Sequence, residues 1–587
     1  MKRRYTIAAM RGWSELAERV AGTTRTSEKT SLLARYLATL SSGELRAAAT
    51  FLSGRPFPEA DQRAVGLGWA TIAAVVTRIA AAPAGALSAA YDQSSDLGMA
   101  VAAVLELRPD APDPSLSPGL VEVAESYTAI GAVPGPAAKG AAFAALLGRC
   151  DSLTAKYVVK VLTGDMRIGL REGLLEAAIA EAFGRPQAAV GMALMLTGDA
   201  GETAVLAKED RLAEAHLRLL HPIKFMLASP AEDAADILGR LGPVVWVEDK
   251  YDGIRAQLHR RGSDVRLYSR DLHDISEQFP EIVEAARPLD WDGILDGEIL
   301  GFTDGHVLPF LTLQARLGRK APTAEIQREV PVAYVAFDLL AIGPRSDGGQ
   351  GAAVGPMLAL SLGERRRRLE ALDLPTVAAG GRFALSHLVT ADSVEALDRV
   401  FEEARARLNE GLMVKDPDSC YTPGRRGLGW LKMKRALATL DCVVVGVEAG
   451  NGKRHGVLSD YTFAVRDEAA DRLVTIGKAY TGLTDAELAD MTRWFDAHTV
   501  RKIGRYRLVD PVVVVEVAFD VIQRSNRHQS GFALRFPRIV RLRIDKSPSE
   551  IDTLANVDRL HRELQYGAEY LVTAQVKGSQ RGSAESL

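Results

Sequence analysis

Cysteine is almost missing from this chain of 587 residues. The three present, Cys150, Cys420 and Cys442, lie far apart, with no CxxC pair. That excludes a disulfide framework and a four-cysteine zinc site, and it fits a reducing cytoplasm. Long apolar runs are missing too. The longest, at 64–76, soon meets Arg78 and is too short to span a bilayer. The opening MKRRYTIAAMRGW is basic, but Arg11 interrupts its apolar run, so no signal peptide is read there. Neither charge sign dominates: 72 Lys and Arg face 75 Asp and Glu, for a formal net charge of −3. The basic balance that advertises many nucleic-acid-binding proteins is therefore absent. No internal repeat is visible. What remains is an ordinary globular composition, 47% hydrophobic and 25% charged, which excludes a disordered chain or a fibrous repeat. At roughly 100–200 residues per domain, the length suggests three or four domains.

Net charge hides one local excess. Residues 501–546 hold 11 Lys and Arg against 4 Asp and Glu. On charge alone this is either a solvated face or an anion-binding surface.

The chain changes character twice. Up to about residue 215 it reads as helical, with apolar residues at three- and four-residue spacing over 30–40, 44–52, 64–79, 97–107 and 137–147. Residues 151–182 predict two helices around Thr163-Gly164-Asp165. After Leu220, short β-type runs at 244–248, 265–269, 293–300, 332–340 and 412–414 alternate with helical runs at 364–371 and 393–408, which predicts a mixed α+β domain. The glycine-rich stretch 342–356 is expected to be a mobile loop. From about Asp441, runs at 442–447, 461–465, 473–479, 512–517 and 539–544, with one helix at 485–495, suggest a small oligonucleotide-binding barrel, a generic sandwich being the alternative.

The sharpest local signal is Glu248-Asp249-Lys250-Tyr251-Asp252-Gly253-Ile254-Arg255. About 0.004 chance matches to K-x-D-G-x-R are expected in a chain this long, so an accidental surface turn is a poor explanation. A lysine at a strand end is a candidate covalent nucleophile if its surroundings favour the neutral amine. Five further patterns follow in order: Ser269-Arg270, Asp296-Gly297-Glu298, Phe337-Asp338-Leu339-Leu340, Glu410-Gly411-Leu412-Met413-Val414-Lys415 and Trp430-Leu431-Lys432-Met433-Lys434. Lys432 and Lys434 share one strand face, because alternate residues point the same way. The series ends with Arg535-Phe536-Pro537-Arg538 and Arg541-Leu542-Arg543-Ile544-Asp545-Lys546.

This ordered set resembles the covalent nucleotidyltransferases, most closely the three-domain ATP-dependent DNA ligases. The resemblance covers nearly the whole chain: 155–173 looks like the family's helical DNA-binding domain, Pro222–Ala228 like the entry to its adenylation domain, and Arg543–Lys546 like its terminal signature. It implies a multidomain fold: an all-α DNA-binding domain at 1–215, an α+β nucleotidyltransferase domain at 216–437, an OB-fold β-barrel at 438–572 and a disordered tail at 573–587.

The resemblance also implies roles. Lys250 is the nucleophile that carries AMP. Glu248 accepts from the adenine amino group, Phe337 stacks on the base, and Arg255 and Arg270 hold phosphates. Lys432 and Lys434 neutralise the α-phosphate. Glu298 and Glu410 hold Mg²⁺, with Glu298 alternatively on the ribose hydroxyls. Asp252 shapes the site and orients Lys250. Arg543 and Lys546 reach the outer phosphates of ATP when the barrel closes. In the helical domain Lys156, Lys160, Arg167 and Arg171 contact DNA phosphates, while Gly164 and Gly169 allow close approach to the duplex. The implied substrates are ATP and nicked double-stranded DNA, and the implied state is a cytoplasmic, nucleoid-associated monomer without a clear clamp-binding motif. An NAD-dependent ligase would need a four-cysteine zinc site that three scattered cysteines cannot build. An RNA ligase or GTP-using capping enzyme fits poorly with the long helical region and the Arg543–Lys546 ending. A nick-binding protein without chemistry would not need the charged set.

Overall fold

The computed structural model describes residues 10–562, except 304–305, 309, 315, 317–320, 347–354, 408, 425, 435–437, 451–455 and 520. The first nine residues, the expected tail at 573–587 and most of the expected loop at 342–356 lie outside the described residues.

Twelve α-helices run between Met10 and Lys208. Their shared core contains an edge-to-face aromatic chain, Tyr157–Trp13–Phe51–Tyr127, with all four rings at most 1% exposed. Helix ends follow local chemistry. Ser41 and Glu44 form a capping box, and Asp151 caps the helix Ser152–Thr163. That helix stops at Gly164, which is left-handed at φ 74°, and the next begins at Glu172, as the two-helix reading of 151–182 expected. The helix expected over 64–79 starts later, at Trp69. Gly66 adopts φ 67° and Gly68 is its extended N-cap, so the apolar run before Trp69 cannot join the helix.

The middle region holds two sheets. One has five strands in the order Leu227–Ala231, Arg426–Met433, Gly411–Lys415, Val245–Lys250, Leu388–Ala391. The other is built on Asp264–Ser269, Ile254–Arg261, Trp291–Thr303 and Val332–Pro344. The chain crosses between them at Tyr251-Asp252-Gly253, so the Lys250 motif is the joint between the sheets. Gly253 is required there: a Cβ would lie 2.5 Å from the Ile299 carbonyl oxygen and 2.8 Å from Glu298 Cγ.

The C-terminal region is a strongly bent seven-stranded antiparallel sheet centred on Ala438–Ala449, with the helix Asp485–Ala497 beside it and one buried core. The five expected strands are present. The last is Arg538–Leu542, so Ile544 lies beyond the strand and is 95% exposed. The sheet also holds a hairpin that the sequence reading left out, Thr499–Ile503 with Tyr506–Val509. Its first strand is solvated on both faces beyond Thr499, so it carries no apolar alternation to read.

Polar contacts join the regions at several described positions. Gln62 Nε2 donates to the Leu272 carbonyl at 2.7 Å, and the Asp274 backbone N–H donates to Gln62 Oε1 at 2.9 Å. Lys224 bridges Glu59 and Glu172 at 2.9 and 2.6 Å. Arg535 reaches Asp252.

Candidate active site

Register assembles the pocket. Gly411 lies opposite Lys250, Met413 opposite Glu248 and Lys415 opposite Trp246. On the next strand Lys432 lies opposite Met413 and Trp430 opposite Lys415. Paired residues share a face, so Lys250, Glu248, Met413, Lys415, Lys432 and Trp430 form one surface. It opens on a cavity of about 170 Å³ that Arg255, Arg270, Glu298 and Phe337 complete from the second sheet.

Lys250 meets the Glu410 carboxylate, which Lys434 also contacts. The Glu410 backbone N–H donates to the Lys250 carbonyl at 2.8 Å. The two lysines hold Glu410 well below the usual carboxylate range despite its burial. Glu298 behaves oppositely: burial pushes it up to about 8, against the pull of Lys250 and Arg255. Lys432 is lowered, first by burial and then by repulsion from Lys434, Lys250, Arg426 and Arg270. Five cations thus crowd one rim, an arrangement that a phosphate chain relieves.

The base end of the cavity is a charged aromatic box. Glu248, 4% exposed, accepts from Lys415 Nζ at 2.6 Å. Lys415 Nζ lies 4.3 Å from the Trp430 ring centroid and 4.7 Å from that of Phe337. Phe337 and Trp430 meet edge to face at 6.3 Å. No role was assigned to Lys415 or Trp430 from sequence. Both lie inside quoted motifs; alternation from Lys432 would have placed Trp430 on the pocket face, and cross-strand pairing with Trp430 brings Lys415 there.

Other expectations need correction. Arg255 lines the cavity, but its guanidinium is already matched by Asp296 at 2.8 and 3.1 Å and by the Met226 carbonyl at 2.8 Å. It is a wall cation more than a free phosphate clamp. Asp252 does not turn to Lys250. It accepts from Arg535 at 2.7 and 3.1 Å, and the Arg535 guanidinium also covers Phe310 at 4.3 Å. Arg543 and Lys546 are not at the pocket. Both are held by Asp441, Arg543 at 2.8 Å and Lys546 at 2.6 Å, and Arg543 also binds Asp545. Asp296, Asp252 and Asp545 stand inside quoted motifs but were not paired with these cations from sequence, and Asp441, 102 residues before Arg543, stands in none.

In the helical region, Lys160 is buried and paired with Asp96, itself 4% exposed, so it cannot meet a phosphate. Lys156 pairs with Glu18, and Arg167 binds Asp165 and the Ser95 carbonyl. Arg171 is exposed beside a second cavity of about 170 Å³. Gly164 and Gly169 are explained by the backbone: both have positive φ, and a Cβ on Gly169 would lie 2.8 Å from Lys29 Nζ. Of the four, Lys160 is thus withdrawn by burial, Lys156 and Arg167 are already matched by acidic side chains, and Arg171 is exposed.

For a divalent cation, the donor set fits a site shared with substrate. Glu298 lines the pocket, Glu410 lies beside it against Lys250, and the two carboxylates repel each other, which a bound cation would relieve. Among the described residues no group of three or more His, Cys, Asp or Glu could hold a metal alone. No described helix is long and apolar enough to cross a membrane.

A strand-end lysine flanked by carboxylates and cations, at the mouth of an aromatic cavity, marks a nucleotide-handling site on a three-part scaffold. Comparisons with known proteins place it. Residues 10–180 match "DNA ligase N terminus", 225–434 match "ATP dependent DNA ligase domain" and 454–546 match "ATP dependent DNA ligase C terminal region". The chain is 46% identical over 558 residues to "Probable DNA ligase" of Koribacter versatilis, across 94% of this chain and 96% of that relative. It is 35% identical over 561 residues to "DNA ligase" of Methanothrix thermoacetophila, across 94% and 98%. The solved structure "Pmar-Lig_PreS3" has a TM-score of 0.56 at 14% identity, covering 90% of this chain and 99% of that one, a likeness of fold alone. The chain belongs to the ATP-dependent DNA ligase family. Enzymes of this family use ATP and act on DNA, and the three-part fold expected from sequence is present.

Proposed function

We propose that this enzyme seals 5′-phosphate/3′-hydroxyl nicks in duplex DNA through a lysyl-AMP intermediate on Lys250. The observation that carries this reading is Lys250 held at a strand end against Glu410, with Lys432 and Lys434 on the same rim and the Phe337–Trp430 box behind. The Lys250 nitrogen attacks the α-phosphorus of ATP; an N–P bond forms, pyrophosphate leaves and the amine loses a proton. The 5′-phosphate of the nick then takes the AMP, freeing Lys250. The 3′-hydroxyl attacks that activated phosphate, the phosphodiester forms and AMP leaves. Phosphoryl transfer of this kind is mostly positioning and charge neutralisation. Lys432, Lys434 and Arg270 neutralise phosphate oxygens, Phe337 and Trp430 bound the adenine, and Glu248, fixed by Lys415, accepts from its amino group. Glu298 and Glu410 would hold Mg²⁺, which would withdraw charge from the phosphate when bound.

The domain divisions we adopt are 1–215, 216–437 and 438–572. Arg543 and Lys546 serve the outer phosphates of ATP only after the C-terminal domain turns, giving up the Arg535–Asp252 contact. Arg171 remains a DNA contact of the helical domain. We read the enzyme as a monomer of the cytoplasm, acting at the nucleoid in replication, repair or recombination.

The test is mass spectrometry of purified protein after ATP and Mg²⁺. One added AMP on the parent and none on Lys250→Ala is the expected result, followed by sealing of a nicked duplex. No adduct on either protein, after pyrophosphate treatment to strip any pre-existing AMP, overturns the reading.

A further inference from the structure

The pocket face of the Lys250 strand has a reverse side. Asp249 borders the cavity between Glu248 and Lys250, but alternation turns its side chain to the opposite face of the strand, where Arg407 and Asn409 hold its carboxylate. It is 5% exposed. Its carboxylate accepts from Arg407 Nε at 2.9 Å, from Arg407 Nη2 at 2.7 Å and from Asn409 Nδ2 at 3.0 Å. Arg407 is held above its ordinary range, chiefly by that hydrogen bonding. These donors flank the start of the segment that leads into Glu410 and Gly411. The segment is tied again on the other side, where the Glu410 N–H meets the Lys250 carbonyl at 2.8 Å. Gly411 completes the seat: a Cβ there would lie 2.3 Å from the Met433 carbonyl oxygen.

We infer that Asp249 is a positioning residue for lysine adenylation, acting through Arg407 and Asn409 to fix the Glu410 carboxylate against Lys250. A buried ion pair is a weak source of stability, because apolar residues of the same volume often do as well. Its value is geometric. A bidentate Arg–carboxylate pair fixes direction as well as distance, and here, with Asn409, it fixes the chain immediately before Glu410, on the strand edge where Lys250 sits. Misplacing a reacting group by about 1 Å costs on the order of 10²-fold in rate. The Asp249 carboxylate is engaged by Arg407 and Asn409, so its effect reaches the reaction through Glu410.

The inference rests on the proposed adenylation of Lys250, and the experiment keeps the two apart. Full-length parent, Asp249→Ala, Arg407→Ala, Arg407→Lys and the Asp249→Ala/Arg407→Ala double variant are mixed with ATP and Mg²⁺. AMP adduct formation is followed in a single turnover across ATP concentrations, with thermal unfolding alongside. Asp249→Ala and Arg407→Ala are each expected to slow adduct formation at saturating ATP at least tenfold, with the half-saturating ATP concentration within twofold of the parent. The double variant is expected to be no slower than the slower single one, because the pair acts as a unit. Arg407→Lys is expected to recover to within threefold of the parent. Parent-like rates in both alanine variants overturn the inference, as does a loss confined to ATP affinity or independent, multiplying losses in the double variant. If Asp249→Ala does not fold, Arg407→Ala against Arg407→Lys decides, a parent-like rate for Arg407→Ala being the overturning result. A parent protein that forms no adduct defeats the adenylation reading itself.

Discussion

Lys432 and Lys160 are both lysines that sequence reasoning assigned to phosphate, and the structure treats them in opposite ways. Lys432 sits on a rim with Lys434, Lys250, Arg426 and Arg270, and like charge lowers it further after burial does. Lys160 is closed in a buried pair with Asp96, and a Cβ on Gly98 would strike its side chain at 2.6 Å. The first environment is unfavourable until an anion arrives; the second is complete. Binding capacity lies where cations outnumber the carboxylates that meet them, and motif composition alone does not distinguish the two cases.

The comparison can be broken at several points. The largest effect belongs to Lys250→Ala, for which no AMP adduct is expected at any ATP concentration by intact-mass measurement. Next, Lys160→Ala leaves Asp96 buried without its partner. We expect a loss of about 3–5 kcal/mol in denaturant unfolding, with adduct formation by the folded fraction close to the parent. Lys432→Ala is the mirror image: adenylation about 10²-fold slower, the size expected for one lost charge-stabilising donor, with unfolding unchanged. A parent-like adenylation rate in Lys432→Ala would remove the distinction.

A further prediction concerns a buried group with no role in the chemistry. His259 is fully buried and is pushed down to about 3 by desolvation. Its Nδ1 accepts from the Leu220 backbone N–H at 3.2 Å, so the neutral ring is required. The unfolded chain takes up this proton near pH 6.5 and the folded one does not. The contribution is therefore intact above about pH 6.5 and is lost as pH falls from there toward 3, by at most about 1.4 kcal/mol per unit. Urea titrations at pH 7 and pH 5 should show the fall, and His259→Gln should flatten it. The smallest effect is expected for Arg535→Ala. Sealing of a pre-adenylated nick should slow about tenfold, as for a contact worth about 1.4 kcal/mol, while adduct formation changes less than twofold.

The legible part of this molecule was local. Lys250, Glu298, Phe337, Glu410, Lys432 and Lys434 each stand in a short strand pattern, and the sheets bring those patterns to one cavity. The three-part architecture followed from helical spacing giving way to short β runs. What stayed illegible is pairwise and distant. Glu248 meets Lys415 across 167 positions, Asp252 meets Arg535 across 283 and Asp441 meets Arg543 across 102. No periodicity links such partners, because the fold and not the local chain sets their distance. Lys160 misled for a related reason: a lysine on a helix reads as solvated, and only the packing of Gly98 against it reveals burial.

Asp441 lies near the start of the C-terminal sheet, and Arg543 and Lys546 follow its last strand. The carboxylate and its two cations therefore travel together wherever that domain turns. Any polyphosphate that reaches Arg543 and Lys546 arrives at an occupied place, and its capture is an exchange of partners, not an addition. Asp441 thus acts as a tethered competitor whose local concentration never falls with dilution of the enzyme.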